Sequence, residues 1–584
     1  MKSRLQYTID HLPSFSIGVI LLSIIYINFN EKRWKDPERV IVNDVISYYS
    51  YLPAVFIHHD LLFNFIDHDF DFYIHKYRLN QFQRGARVIQ TSMGLALLYS
   101  PFFLAAHFSA PLLGYGQDGF TEPYRFALIF SSMIYLLIGL VFLKKVLIRY
   151  FNPVVTAITI LAVVMGTNLL HYSTYEGPMS HTYNFSLIAI FLYLIIRWFE
   201  NPTIKLTVFT GFIAGLITLI RPTNILVLVI FVLWDVKSRT EFKERILYFL
   251  KQYRLILIIA GFFILVWLPQ FLYWKYTTGS FLYYSYGTFG ERFFFNSPKV
   301  IDQLFSYRKG WFLYTPVMFF GFIGIAFLYR KQYRSFFVPV LGFMLLMIYV
   351  LSSWWSWWFG GSFGLRSYID TYAVMAIPIA VMIDAGFRYR RWTMTITSVL
   401  ILLLVSLNLF QTWQYHKGYI HFSGMTKKAY WSIFGKTSAD HDYWYLIEIP
   451  DHTQAVKGIY TTFPKDPYLK LTEDNCVEVT ISKIRNNEDW LKLVEEKAIL
   501  RGLPLDTMIQ IDAAWNCKKM INQGLIEKTP EHLRKCIAEI IEQMKNDEGW
   551  MSQVEEKARK KKITTEEMMR EDAEWICKNS SVNE

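Results

Sequence analysis

Residues 13–29 read PSFSIGVILLSIIYINF, and a few residues later 43–53 read NDVISYYSYLP. The first stretch is apolar and close to the length a bilayer core requires. A short basic N-terminus, Met1 to His11, precedes it. No small-residue cleavage site follows, so it reads as an uncleaved first span and not a removable signal peptide. The second stretch opens a long segment, Asn28 to Tyr124, dense in acids, histidines and tyrosines. That segment includes His58-His59-Asp60 and Asp67-His68-Asp69-Phe70-Asp71. Beyond it the chain returns to apolar spans as far as about Leu409. A membrane chain with a carboxylate-bearing loop directly after its first span points to chemistry at the lipid–water boundary, not to an anchor.

The 584 residues are 53% hydrophobic and 18% aromatic, and nearly all apolar runs precede residue 412. This predicts an all-α polytopic membrane domain followed by a small soluble helical domain. Eleven spans are expected, centred near Ile20, Leu136, Leu161, Ala189, Phe212, Val229, Ala260, Gly321, Leu345, Met375 and Ile401. With a cytoplasmic N-terminus, the basic loops beginning at Lys144, Arg197, Lys237, Arg330 and Arg388 then all fall on the cytoplasmic side. The net charge of +12 is therefore topological, and nucleic acid is not an expected partner. Thr91 to Phe108 is ambiguous: it reads as an interfacial helix of the first outer loop, 29–124, while counting it as a span gives twelve.

The outer loops combine aromatics with Gly, His, Arg and acids, as in Tyr172 to Tyr183, Trp274 to Trp311 and the run Trp354 to Trp358. Aromatics at span ends are ordinary interface anchors. Interleaved in this way they fit a sugar- or lipid-binding surface, with Tyr48, Tyr49, Trp357 and Trp358 as candidate contacts.

Residues 1–435 are assigned to the membrane domain, 436–470 to a linker and 471–584 to the tail. The tail repeats itself: Cys476, Trp490, the run Val494 to Ala498, Met508, Asp512, Trp515 and Cys517 recur sixty positions later as Cys536, Trp550, Val554 to Ala558, Met568, Asp572, Trp575 and Cys577. Each unit, 476–517 and 536–577, reads as two or three amphipathic helices, a packing or docking module for a protein partner. Pairing Cys476 with Cys517 and Cys536 with Cys577 is economical, but four cysteines allow three connectivities. No CxxC spacing occurs, which argues against zinc.

Asp44 is the leading candidate for chemistry. A carboxylate near the membrane surface can take a proton from a hydroxyl within hydrogen-bond reach; the competing reading is a helix cap. Glu176 and His181, at an outer span end beside Gly177-Pro178, are candidates for a second acid or base, against simple exposure at a turn. Arg221 falls on the outer side and breaks the positive-inside trend, so an anionic partner such as a lipid phosphate is expected for it. Arg308 and Arg366 offer the same chemistry. The alternating Asp67, Asp69 and Asp71 leave room for a divalent cation without favouring one. P-loop and HExxH patterns do not occur, so phosphoryl transfer from ATP and zinc hydrolysis are unsupported.

Several motifs, in this order, resemble the GT-C superfamily of polytopic glycosyltransferases, which includes protein O-mannosyltransferases and aminoarabinose transferases. They are Asn43-Asp44 with Tyr48-Tyr49, Gly94 with Pro101-Phe102-Phe103, Asp118-Gly119-Phe120, Met179-Ser180-His181, Leu219 to Asn224, Tyr307 to Trp311, and Trp357 to Arg366. The resemblance covers roughly residues 1–435 and excludes the tail. It implies transfer of a sugar from a polyprenyl-phosphate-linked donor to a lipid, glycan or protein acceptor at the non-cytoplasmic face of the bacterial inner membrane, with inversion. The first-loop acid that serves as base falls on Asp44, and the phosphate-holding cations fall on Arg221, Arg308 and Arg366. The chain departs from the pattern in having Asn43-Asp44 where an Asp-Glu pair is frequent. It also lacks an Asp-x-Asp pair in the second outer loop, which weakens the case for a metal. The competing classes are a lipid-linked sugar transporter, which requires inverted repeats and charges at mid-membrane depth, and a surface-glycan polymerase or ligase.

Overall fold

The computed structural model describes residues 4–68, 76–77, 79–81, 87–287, 290–439, 441–464, 476–485, 488–522, 531–561 and 564–580. Seven helices are long and apolar enough to cross a membrane: Gln6–Lys35, Glu122–Leu147, Ser180–Glu200, Tyr253–Thr278, Lys331–Ser352, Arg366–Arg388 and Arg391–His416. Five shorter apolar helices lie among them: Gly94–Ser109, Pro153–Met165, Ile204–Ile220, Pro222–Val232 and Pro316–Phe327. Every expected span centre falls inside one of these twelve, and the chain is a multi-pass membrane protein. Helix starts follow local chemistry. Asn152 and Thr203 accept from backbone N–H groups three residues on, at 3.0 and 3.3 Å, and Pro153 and Pro316 open helices whose first N–H needs no partner. Tyr253–Thr278 and Arg391–His416 keep most of their apolar surface exposed, as a lipid-facing helix does.

The stretch expected at the interface is the helix Gly94–Ser109. It packs on Glu122–Leu147 and Ile204–Ile220, and its first residue is held against the end of the latter. A Cβ at Gly94 would lie 2.5 Å from the Ile220 nitrogen and 2.6 Å from the Leu219 carbonyl carbon, both backbone atoms.

Two sets of loops each make contacts among their own members. On one side, the first loop meets later ones: Ile89 N–H donates to the Tyr273 hydroxyl at 3.0 Å and Gln90 to Glu291 at 3.1 Å. There too Trp355 N–H donates to the Arg292 carbonyl at 3.1 Å and Lys299 N–H to that of Ser352 at 2.8 Å. On the other side the basic loops pair: Lys144 with Ser14, Arg149 with Glu200, Asp235 with Ser335, and Arg388 with Gln332. The loops expected outside thus form one face and the basic loops another.

The chain divides into two compact units, Met1–Lys465 and Asp466–Glu584. Residues 436–464, expected as linker, belong to the first unit. Tyr443 and Ile447 are buried in a cluster with Tyr314 and Phe363, and the strands Glu448–Pro450 and Thr462–Pro464 pair antiparallel. Apolar anchoring outweighs a linker-like composition.

In the second unit each repeat forms three helices: Cys476–Arg485, Glu488–Arg501 and Leu505–Asn522, then Glu531–Asn546, Glu548–Lys561 and Thr565–Ser580. Val494, Ala498, Met508 and Ala513 pack inside the first, and Val554, Ala558, Met568 and Ala573 inside the second. Disulfides join Cys476 to Cys517 and Cys536 to Cys577.

Two measurements check this architecture. Gly94→Val should cost about 1–3 kcal/mol through overpacking against backbone that cannot rotate away, seen as a lower unfolding midpoint in detergent; an unchanged midpoint would mean the two helices separate freely. Non-reducing peptide mapping should recover only the two within-repeat disulfides, and a cross-repeat linkage would refute the two-unit tail.

Candidate functional site

Asp44 opens the short helix Asp44–Tyr49. Asn43 occupies the cap position with φ 51° and makes no side-chain cap bond. Asp44, the first residue of the helix, pairs with Arg366, with Oδ2 2.8 Å from Nη2. Arg366 Nε also donates to the Phe359 carbonyl at 3.1 Å, which aims the guanidinium. This pair joins the first loop to the Trp-rich loop. Tyr48 lies beside it, half-buried. Burial, then the Asp44 charge, push its phenol up, so it stays a neutral hydroxyl.

A second acid, Asp370, is fully buried. Arg221 Nη1 is 3.4 Å from its Oδ2 and His181 Nδ1 is 3.5 Å from its Oδ1. Asn224 and Asn184 donate to Oδ2 at 2.7 and 3.4 Å. Arg221 Nη1 and His181 Nδ1 are themselves 3.2 Å apart. Sequence reasoning found Arg221 and His181 and missed their shared partner. The signal was present: Asp370 is a lone acid entering an apolar run, and ionisable residues in such runs are costly unless paired.

Glu176 is the third acid. Its Oε1 is 3.7 Å from His171 Nε2. Burial works to raise its carboxyl, but the nearby His171 ring, with Arg366 and Arg33 beyond, holds it at about 2. Tyr175 continues this group, stacked between His171 and His416, and His416 Nε2 lies 3.5 Å from Glu31. His171, Arg33, Glu31 and His416 were not singled out from sequence, because none stands in a recognisable motif. Lys309 completes the set: it is buried and donates to the carbonyls of Ser362 and Phe422. Burial first, then Arg366, lower its ammonium well below the ordinary lysine range.

Other candidates sit elsewhere. Tyr49 is buried and donates to the Gly119 carbonyl, so it is a packing residue and not a sugar or lipid contact. Arg308 donates to the Ser423 carbonyl at 2.8 Å and lines, with Trp357 and Trp358, a separate cavity of about 540 Å³. In the first loop, His58 stacks on Phe65 with centroids 3.8 Å apart. Asp60 accepts from the N–H groups of Leu62 and Asn64, and Asp67 pairs with Arg87. These are turn and packing roles. Asp69 and Asp71 lie outside the described residues. Among the described residues no group of three or more His, Cys, Asp or Glu is placed to hold a metal ion.

No protein-family model matches the chain, and no curated protein does. Among solved structures the chain is similar to the oligosaccharyltransferase of Archaeoglobus fulgidus in its apo form, with TM-score 0.42 and 13% identity over 75% of this chain. It spans 60% of that protein's length, less than two thirds. It is also similar to ArnT from Cupriavidus metallidurans bound to undecaprenyl phosphate, with TM-score 0.41, and to the same protein in the apo state, with TM-score 0.38. Identity is 12% in both, over 90% of this chain and 80% of theirs.

The Glu176 carboxyl gives a pH signature. Its ordinary value of 4.5 is depressed to about 2, so its contribution to stability is complete above about pH 4.5 and is lost as pH falls toward 2. Thermal unfolding in detergent from pH 6 to 2 should show that loss in the wild type, and Glu176→Gln should flatten it. Parallel curves would mean that His171 does not hold the carboxylate.

Proposed function

We propose that the first unit is a GT-C glycosyltransferase. It transfers a sugar from a polyprenyl-phosphate-linked donor to an acceptor hydroxyl at the non-cytoplasmic face, with inversion. The observation that carries this reading is the Asp44–Arg366 pair at 2.8 Å, a carboxylate and a guanidinium side by side on the face where the acidic and aromatic loops meet. A carboxylate there accepts the acceptor proton. A guanidinium there stabilises the leaving phosphate as its charge develops. In the step, the bond between the anomeric carbon and the phosphate oxygen breaks. The acceptor oxygen bonds that carbon from the opposite side, its proton passes to Asp44, and polyprenyl phosphate departs on Arg366. Arg221, next to His181, provides a second cation, and Asp370 fixes its position.

The arrangement disfavours a transporter. His181 is the second residue of the span Ser180–Glu200, Asp370 is four residues into Arg366–Arg388, and Arg221 directly follows Ile204–Ile220. These charges lie at span ends, where loop chemistry occurs, and not at mid-membrane depth. We place the chain in a bacterial cytoplasmic membrane with this face outward, away from the basic loops. Two disulfides in the tail fit an oxidising compartment.

Transfer of radiolabelled sugar from polyprenyl-linked donors, in membranes with matched expression, tests the reading. Asp44→Asn should lower transfer by about 100-fold or more, the scale of a lost general base. Arg366→Lys, which keeps charge but loses the two-pronged geometry, should fall between Asp44→Asn and wild type. Wild-type transfer in Asp44→Asn would return that carboxylate to a structural role.

A further inference from the structure

Arg308 and Lys309 are adjacent in sequence but serve different places. Lys309 donates to Ser362 and Phe422 and feels the charges of Arg366 and Glu176. Arg308 instead lines the 540 Å³ cavity, whose walls come from residues 299–308, the Trp357-Trp358 pair and residues 425–462. The cavity and the Asp44–Arg366 centre therefore share the segments 307–310 and 357–366 as a common wall.

Two observations point to a ligand there. Trp358 is 2% exposed, and its indole N–H has no hydrogen-bond partner among the described residues. A buried donor left unpaired is costly, and Trp358 forms part of the cavity wall. Three cations, Arg308, Lys299 and Lys427, line the cavity together with two acids, Asp302 and Glu448; the charges of both acids reach Arg308, but among the described residues none of the three cations lies within ion-pair distance of a carboxylate. Arg308 is held by one bond to a backbone carbonyl and sits over the Trp358 ring, 5.9 Å from its centroid. Lys299 lies 4.7 Å above Tyr460. Aromatic faces, hydroxyls and fixed cations together recognise a sugar ring carrying negative charge.

We propose that this cavity binds an anionic oligosaccharide, as the acceptor-side subsite adjoining the transfer centre. Arg308 is then assigned to acceptor binding and not to the donor phosphate. The acceptor role rests on the transferase reading; the binding does not. The test uses the full-length protein in nanodiscs, with tryptophan fluorescence titrated by trigalacturonic acid and by maltotriose, a neutral 1,4-linked trisaccharide. Trigalacturonic acid should bind saturably, and maltotriose about tenfold more weakly. Lys427→Gln, at an exposed position, and Arg308→Gln should each weaken the acid by about tenfold, while Asp44→Asn leaves it unchanged. Absence of saturable binding to the folded protein, equal binding of both sugars, or indifference to Lys427→Gln overturns the proposal. Retained binding in a protein that transfers no sugar keeps the site and removes the transferase reading.

Discussion

Asp370 has no contact with water, and its surroundings are arranged around that fact. A carboxylate withdrawn into a membrane protein must be met by cations and hydrogen-bond donors or it will not stay charged. Arg221 and Asn224 answer from the turn after Ile204–Ile220, and His181 and Asn184 from the start of Ser180–Glu200. One charge thus locks three span ends to the same depth. The loops that carry Glu176, Arg221 and Arg366 are the extensions of those three ends, so their positions follow from where this charge is satisfied.

The Asp44–Arg366 pair is built differently. Its side chains retain 35% and 17% of their exposure, so water and ligand both reach it. An ion pair of this kind is worth little as a structural bond, since solvent competes for each partner. That weakness leaves the Arg366 guanidinium exchangeable, as the proposed transfer requires. Asp370 and Asp44 are both paired with arginine, yet burial makes one contact structural and leaves the other exchangeable. The Phe359 carbonyl keeps Arg366 aimed whether or not Asp44 holds it.

The sequence made the helical architecture legible because hydropathy is a one-dimensional signal: each expected span centre lies in an apolar helix. Length was harder to read. Pro153–Met165 and Pro316–Phe327 are short, and Gly94–Ser109 resembles them more than it resembles a surface helix. In the candidate site, Asp44, Glu176, His181 and Arg221 could be singled out because local motifs announce them. Those whose meaning depends on a distant partner were missed or misplaced. Asp370 matters through residues 146 and 186 positions away. Tyr49 stands next to Tyr48, but its hydroxyl is taken by Gly119 across the first loop. Residues 436–464 read as a linker because their few apolar side chains find partners only in the folded unit.

The tail separates what a repeat preserves from what it lets change. The cores match: each has its disulfide, and each has a lysine on its middle helix paired with an aspartate on the next, Lys497 with Asp512 and Lys557 with Asp572. Outside, the copies diverge. Leu493, Ile499, Leu500 and Ile511 are exposed in the first, whereas the exposed Gln553 and Arg559 stand at the places of Leu493 and Ile499 in the second. Single exposed apolar side chains cost little, but four on one small unit make a different surface from polar ones. Repetition therefore supplies two copies of one scaffold and two unlike faces, so the copies are not redundant in whatever they contact.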